Sequence, residues 1–356
     1  MPSFPSLPTD FPLNSGSLKK DVIPALVGAG ICLFFQRSGL LTFFFLVPLG
    51  FLSLKFGRRA ALIALGFTVL GNILFALGRI ASVPGTEIIW DLVYFAAIAS
   101  IFTWIMTPLP NINMSGRLSG GMRFILGSCL GALIFTGIFF RVIASPDFSG
   151  YMMSLLNTLV SAYRSSGSNV VEIALLDSLT PDVVLDLMRS VMLRGGSLIS
   201  SVLLFFVCRQ MSFALARIFL RNRRAGEERP VPLMLFHVRE ALIWVLSGSL
   251  LLVVLTRALK FEIPEIILWN ILILCGILYF AQGLGILQFF TARPWFSPFL
   301  RLFLNVLFIV LIFSPGINVI LLAGVILLGI AENWAPFRVS GSNGPPSTPE
   351  AGDKDV

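Results

Sequence analysis

The chain has 356 residues, of which 56% are hydrophobic and 12% are charged, and its mean hydropathy is +0.90. A soluble domain carries roughly 25% charged residues, so this chain has too little polar surface to cover a water-soluble globule of its size. The net charge of +8 argues against nucleic-acid binding, because Lys and Arg stand mostly at the ends of apolar runs. The composition predicts an all-α, polytopic transmembrane helix bundle whose first partner is the lipid bilayer.

Residues 1–20 are rich in Pro and Ser and carry no signal-peptide pattern, which predicts a disordered N-terminus that is not cleaved. Apolar runs follow, and each predicts a helix because backbone groups in lipid must be bonded within their own segment. The runs are Val22–Phe35, Leu40–Leu54, Ala60–Gly78, Ile88–Thr107, Phe124–Phe140, Ser197–Leu220, Leu235–Thr256, Ile266–Phe290, Leu302–Phe313 and Ile317–Ala331. The first two and last two fall short of the ~20 residues that cross a bilayer, which predicts tilted or half-spanning hairpins in a bundle of eight to ten segments.

Basic residues predict the orientation of this bundle. Counting the runs places Lys19–Lys20, Lys55/Arg58/Arg59, Arg117/Arg123, Arg221–Arg229, Arg293/Arg301 and Arg338 on one side of the membrane. The other side has only Arg37, Arg79, Arg257 and Lys260 in its short links. We therefore expect a multi-pass protein of the bacterial cytoplasmic membrane with both termini cytoplasmic. The predicted domains are membrane bundles at 21–141 and 196–338, an insertion at 142–195 between them, and a disordered cytoplasmic tail at 339–356.

The non-cytoplasmic insertion contains two predicted amphipathic helices. Apolar residues recur at helical spacing over Tyr151–Arg164. A second helix is expected to begin with Thr180 as its N-cap and Pro181 in its first turn, and to stop at Gly195. These helices fit two arrangements equally: they lie on the outer membrane–water interface, or they form a small cap packed over the mouth of the bundle.

The residues that carry catalytic chemistry are sparse. All four cysteines lie in apolar segments, and His237 is the only histidine of the chain. This excludes a disulfide framework and a histidine-rich metal site, and it argues against a Ser-His-Asp triad. There is also no G-x-x-x-x-G-K-[ST] run, so any ATP-driven activity needs partner subunits. We expect no cofactor, no metal and no enzymatic activity.

Arginines inside an apolar helix are the first candidates for a binding site. Arg209 lies near the middle of its run, and Arg217 follows on the same helical stripe. One interpretation is an interhelical ion pair between Arg217 and Glu240 on the next run, with both arginines extending toward the membrane surface. The other is an anion site for the phosphate of a lipid or a substrate, built from Arg209 and Arg217.

Amides and small residues are the second group of candidates. Asn270 and Gln282 either hydrogen-bond across helices, as most such amides do, or line a cavity. Gln282 is the preferred cavity residue because Gly283 and Gly285 permit a close approach of backbone or ligand. Asp91 is expected to pair with Arg79 and Glu332 with Arg338. Gly127 and Gly131 predict a packing face inside the bundle.

Several motifs in the last part of the chain resemble the YybS-like family of uncharacterised bacterial membrane proteins. They are Arg194-Gly195-Gly196, the stretch Tyr279-Phe280-Ala281-Gln282-Gly283-Leu284-Gly285-Ile286, the hairpin at Ser314-Pro315-Gly316, and the ending Glu332-Asn333-Trp334 with Arg338. The resemblance implies a distant likeness to the substrate-binding membrane subunits of energy-coupling-factor transporters. It implies as partners a coupling subunit with ATPases, docked on small residues of the first helix at Ala25 and Ala29. The alternative for Ala25 and Ala29 is plain helix packing.

Three functions are compatible with these observations. The best supported is a small-molecule-binding transport component that acts with partner subunits. The alternative is a membrane scaffold or envelope-assembly protein that binds partners through its non-cytoplasmic loop. An intramembrane enzyme such as a lipid transferase is a third hypothesis, but we find no acid–base pair with a nucleophile or a metal.

Overall fold

The computed structural model describes residues 15–39, 41–79, 85–107, 120–165, 180–219, 233–293, 296–335 and 337–338. Throughout these residues the regular elements are helical and none is a strand, which confirms the all-α prediction. The helices are α1 (Ser15–Arg37), α2 (Val47–Phe56), α3 (Arg58–Arg79), α4 (Gly85–Met106), α5 (Gly120–Ile143), α6 (Pro146–Ser165), α7 (Pro181–Val191), α8 (Ser197–Phe219), α9 (Ala241–Ala258), α10 (Glu262–Thr291), α11 (Pro298–Phe313) and α12 (Ile317–Ala331).

Each predicted apolar run overlaps one of these helices, so hydropathy located the elements, but Leu40–Leu54 begins seven residues before α2 and Leu235–Thr256 begins six residues before α9. The N-terminal boundary differs, because α1 begins at Ser15 and includes the end of the stretch predicted to be disordered. The remainder of that stretch, residues 1–14, and the predicted disordered tail at 339–356 lie outside the described residues.

Fewer helices are long enough to cross a bilayer than the eight to ten predicted. Within the described residues, six stretches have the required length and composition: Arg58–Gly78, Ile89–Met106, Gly120–Ile143, Asp182–Phe219, Ala241–Ala258 and Glu262–Thr291. A seventh span would be the pair α11–α12, which is bent by 119° at residues 314–316. The bend agrees with the predicted hairpin at Pro315. These helices fit a multi-pass membrane protein.

The short first elements account for part of the difference. Charged residues at both ends of α1 limit its uncharged stretch to residues 22–36. The stretch Thr42–Phe56 is also too short, and its helix α2 has only 10 residues, about 15 Å of helix against a hydrocarbon core of about 30 Å.

The chain forms two compact units, Met1–Glu227 and Glu228–Val356. In this division α8 belongs to the first unit, where it packs against α2 and α5, whereas the predicted C-terminal bundle at 196–338 includes it. The apolar composition of α8 could not show which neighbours it has, because helices of both predicted bundles present similar apolar surfaces.

The first unit is built around α2, which α1, α3, α4 and α8 surround. Its residues Leu46 and Leu49 are almost completely buried, as are Phe102 and Phe205, whose ring centroids lie 6.0 Å apart. The break before α2 leaves backbone carbonyls that need partners. A side chain of α8 supplies one of them: Cys208 Sγ donates to the carbonyl of Phe43 at 3.2 Å.

The predicted small-residue face of α5 packs inside the first unit, as expected. A Cβ added at Gly127 would lie 2.5 Å from Ile105, and one added at Gly131 would lie 2.8 Å from the ring of Phe205. Ser201 Oγ of α8 donates to the carbonyl of Ser128 at 2.7 Å. Glycine at these positions therefore lets α5 approach α4 and α8 closely.

The second unit has α10 at its centre, in contact with α9 and α12. The backbones of α10 and α12 almost touch, since a Cβ at Gly283 would lie 2.0 Å from the carbonyl oxygen of Val325. A Cβ at Gly329 would lie 2.0 Å from the carbonyl oxygen of Tyr279. The glycine beside Gln282 thus permits a close approach of another helix.

The insertion contains the two predicted helices, α6 and α7, which pack against each other. The N-cap prediction is confirmed: the N–H of Val183 donates to Thr180 Oγ1 at 3.4 Å, and Pro181 occupies the first turn. Gly195 breaks the helical geometry with φ +137°, but the chain continues into α8 through the π-helical turn Met192–Gly196. The predicted stop is therefore a bend, and residues 166–179 between α6 and α7 lie outside the described residues.

Candidate functional site: a polar cleft in the first unit

A polar cleft of about 70 Å³ lies between α1, α3 and α4 of the first unit. Its walls combine two amides, an arginine and a carboxylate with apolar and aromatic side chains. The lining residues are Gln36, Arg37, Asn72, Phe75, Ala76, Asp91, Leu92 and Phe95. Polar residues inside a bundle of apolar helices are costly unless they are bonded or carry out a function.

Asn72 joins the polar side chains of the cleft and is only 7% exposed. Its Nδ2 donates to Gln36 Oε1 at 2.9 Å and to the carbonyl of Thr68 at 3.0 Å. Its Oδ1 accepts from Arg37 Nη2 at 3.4 Å. One residue of α3 thus holds two polar side chains of α1 in fixed positions.

The guanidinium of Arg37 also lies over an aromatic ring. Its Cζ is 3.6 Å from the centroid of the Phe75 ring, within the range of a cation–π contact. The ring and the amide of Asn72 restrain the guanidinium from two sides. A cation held in this way is preorganised beside the cleft and loses little freedom when a ligand binds.

Asp91 brings a second cation to the rim of the cleft. Arg141 Nη1 at the end of α5 lies 3.1 Å from Asp91 Oδ1. The sequence predicted Arg79 as the partner of Asp91, but the side chain of Arg79 lies outside the described residues, and the ion pair that the structure shows is with Arg141. Two cations and one carboxylate therefore surround or border the cleft.

The size of the cleft limits what it can hold. One water molecule needs about 10–15 Å³ of such space, so the cleft has room for about five waters or one small solute. Sites for drug-sized ligands occupy about 300–1,000 Å³. A smaller hollow of about 10 Å³ shares Gln36, Asn72, Leu92 and Phe95 with the cleft and reaches Ala99 in the core.

The sequence marks Asn72 only as one of several amides in apolar helices and Asp91 only as an ion-pair residue, and it does not indicate that these residues form one group. The available signal was positional, since Gln36–Arg37, Asn72 and Asp91 stand near those ends of consecutive apolar runs that the orientation places on one side of the membrane. Each residue by itself has an ordinary structural explanation. Only the packing of α1 against α3 and α4 shows that they share one cleft.

The two arginines of the predicted anion site differ in exposure. Arg209 is half-buried, and its Cζ lies 5.9 Å from the ring centroid of Phe124 and 5.6 Å from that of Phe213. Arg217 is exposed. Glu240 belongs to the other compact unit, so its pairing with Arg217 stays a prediction, as does anion binding by Arg209 and Arg217.

The amides predicted to line a cavity make protein contacts. Gln282 is fully buried, and its Oε1 accepts from the N–H of Val238 at 2.8 Å. Its Nε2 donates to the carbonyl of Gly329 at 3.1 Å and to Glu332 Oε2 at 2.9 Å. Asn270 donates to the carbonyl of Ile266 in the previous turn at 2.9 Å. These bonds support the helix-packing alternative, and ligand binding by Gln282 and Asn270 stays a prediction.

The predicted pair of Glu332 and Arg338 is present in the second unit. Arg338 Nε donates to Glu332 Oε1 at 2.6 Å, Arg338 Nη2 donates to Glu332 Oε2, and Arg338 Nη1 donates to the carbonyl of Met234 at 2.7 Å. Burial opposes ionisation of Glu332, but the hydrogen bonds and charge of Arg338, with smaller contributions from Gln282 and His237, lower its pKa below the ordinary value. Glu332 therefore anchors the residues that follow α12.

The predicted docking face on α1 is covered in this structure. Ala25 is 0% exposed and Ala29 is 2% exposed, and Ala25 belongs to the main apolar cluster of the first unit. α1 packs against α2 and α3 within the first unit. This burial supports the helix-packing alternative, and docking of a coupling subunit at Ala25 and Ala29 stays a prediction.

In the part of the chain that the structure describes, no group of three His, Cys, Asp or Glu side chains could hold a metal ion. No protein-family model, no curated protein and no solved structure matches this chain.

Proposed function

We propose that this chain is the solute-binding component of a membrane transport system and that its binding site is the cleft between α1, α3 and α4. The observation that carries the proposal is the presence of bonded polar residues around an open space at the neighbouring ends of three apolar helices, where Asn72 is buried and Arg37 and Asp91 are exposed. In a purely structural network, the polar groups would be expected to bond only other protein groups and to leave no open space, as Gln282 does. Around Asn72 the polar groups instead border about 70 Å³ of space.

The chemistry of the walls favours a small anion. Arginine presents several N–H donors in a planar fork that matches carboxylate and phosphate oxygens. Arg37 supplies this group, the amides Gln36 and Asn72 can orient the solute, and Phe75 and Phe95 form an aromatic part of the wall. The volume restricts the solute to about the size of a carboxylate or a phosphate ion.

The proposed orientation also suits uptake. With both termini in the cytoplasm of a bacterial cell, α1 runs outward and ends at Arg37 on the non-cytoplasmic side. Arg141 at the end of α5 and Asp91 near the start of α4 then lie on that side as well. The solute would enter from outside, and ATP-driven transport would require partner subunits because the chain has no P-loop sequence.

Thermal unfolding in detergent, with acetate, formate, phosphate and sulfate as probes, tests the binding site. A ligand at 100 times its Kd stabilises the folded state by about 2.7 kcal/mol, which corresponds to a Tm increase of about 5–10 °C for a unit of this size. Arg37→Gln should abolish the increase. Arg257→Gln, an exposed arginine at the end of α9, is the matched control and should retain it. Absence of a shift with all four anions, or an equal shift in both variants, would contradict the proposal.

Purification of the native complex through a C-terminal tag tests the transport role. A coupling subunit with ATPases in near-stoichiometric amounts is the expected result. Recovery of envelope or division proteins without transport subunits would instead support the scaffold alternative. The two experiments are independent, because an anion can bind in the cleft whatever the partners are.

A further inference from the structure

Helix α7 carries an exposed apolar stripe that the solute site does not explain. Val183, Leu187 and Val191 follow one another at four-residue spacing and therefore lie along one side of the helix. They are 50%, 61% and 57% exposed, respectively. An isolated apolar side chain on a surface is common, but a continuous stripe indicates a surface that something covers.

The other sides of α7 have different environments. Val184, Leu185 and Met188 are half-buried on the side next to the stripe, and α7 packs against α6. The exposed residues Asp182, Asp186 and Arg189 lie on the remaining side, where Arg189 Nη1 is 3.0 Å from Asp186 Oδ1. The helix thus has one side against protein, one polar side and one exposed apolar side.

The position of α7 along the chain places it near the end of a spanning helix. The helical stretch Asp182–Phe219, which contains an apolar window long enough to cross a membrane, has 38 residues, about 57 Å as a helix, whereas a bilayer core of about 30 Å needs only ~20 residues. Gly195 bends the chain between α7 and α8. About half of the stretch therefore lies beyond the hydrocarbon core or turns away from the axis of α8.

A contact with α5 gives independent evidence for the depth of α7 relative to the membrane surface. Arg189 Cζ lies 5.9 Å from the ring centroid of Phe140, close to the end of α5 at Ile143. Because α5 is itself long and apolar enough to span the membrane, its end marks the membrane–water boundary. Exposed apolar residues continue on α8 directly after the bend, with Ile199 42% and Leu203 57% exposed.

We propose that α7 is an interfacial helix whose stripe of Val183, Leu187 and Val191 binds the acyl-chain region of the adjacent lipid leaflet. Of the two arrangements that the sequence leaves open, membrane interface or cap, this geometry supports the interface. The apolar stripe contacts lipid, the polar side faces water, and the third side rests on the protein. The inference does not depend on solute binding in the cleft.

Photocrosslinking in vesicles of phosphatidylethanolamine and phosphatidylglycerol tests the proposal with the full chain. The photoreactive residue p-benzoylphenylalanine replaces Leu187 on the stripe or, as the matched control, Asp186 on the polar side. Because both side chains are exposed, both variants should fold. Mass spectrometry should find at least about fivefold more lipid adduct at position 187 than at position 186, as expected for an interfacial helix.

Other adducts at position 187 would overturn the proposal. A crosslink to a second copy of the chain or to another protein would show that the stripe is a protein-docking surface. Equal lipid labelling at the two positions would show that α7 does not lie with one side in the membrane. A second measurement is amide exchange of Leu187→Asp in the vesicles, which should increase several-fold in α7 and stay unchanged in α8. Unchanged exchange in α7 would also contradict the proposal.

Discussion

Replacing Gly329 by alanine tests the close approach of α10 and α12. The added Cβ would lie 2.0 Å from the carbonyl oxygen of Tyr279, 2.9 Å from its carbonyl carbon and 3.0 Å from the backbone nitrogen of Gly283. All three are backbone atoms, so no side chain can rotate away. Reaching an ordinary separation of about 3.4 Å requires the helices to move apart by about 1.4 Å at this point.

The expected cost follows from three contributions. Overpacking in a close-packed region costs about 1–3 kcal/mol. The separation also strains the bond from Gln282 Nε2 to the carbonyl of Gly329, 3.1 Å long, which is worth about 1 kcal/mol. Alanine in a helix gains roughly 0.5–1 kcal/mol over glycine. The sum is a destabilisation of about 2 kcal/mol, or a Tm decrease of about 5–10 °C in a unit of this size.

The matched control lies in the same helix. A Cβ at Gly324 would have no atom within 4 Å, and this glycine is exposed. Gly324→Ala should therefore leave the Tm unchanged or raise it slightly. Differential scanning fluorimetry of both variants and the wild-type protein in one detergent provides the comparison. Equal Tm values for Gly329→Ala and Gly324→Ala would refute the close helix crossing on which the account of the second unit depends.

Three further perturbations test other parts of the molecule. Arg338→Gln should destabilise the second unit by about 3 kcal/mol, because the carboxylate of Glu332 is then buried without its cation; a Tm equal to wild type would contradict this. The stability of the wild-type protein should fall in acid, because folding lowers the pKa of Glu332. The stabilisation that Glu332 contributes is complete above its unfolded-state pKa of about 4.3 and is lost as the pH falls through the lower folded-state pKa. Glu332→Gln should flatten that part of the pH profile, and an unaltered profile would exclude Glu332 as its source. Thr180→Ala should speed amide exchange in the first turn of α7 about fivefold, since an N-cap contributes about 1 kcal/mol; unchanged exchange would show that Thr180 does not cap the helix.

Local properties of the sequence were sufficient to locate the helices. Their hydropathy and the N-cap at Thr180 depend on residues close together in the chain, and so does the ion pair of Glu332 and Arg338, which are six residues apart. The sequence also showed correctly that Gly127 and Gly131 form a packing face. Each of these features depends on residues within one helix or next to its ends, and none depends on which other helix lies beside it.

Which helices pack against each other, and with which faces, is decided only by the tertiary structure. The partners of Gln282 lie 44, 47 and 50 residues away, and Arg141 lies 50 residues from Asp91. Hydropathy does not determine how an apolar helix is rotated about its axis or which neighbour it meets, because many apolar faces pack almost equally well. The sequence alone therefore determined that the chain is an all-α protein with helices suited to a membrane and where those helices lie. Only the tertiary structure decided that α8 belongs to the first unit, that Ala25 and Ala29 are buried, and that polar ends of α1, α3 and α4 enclose a cleft.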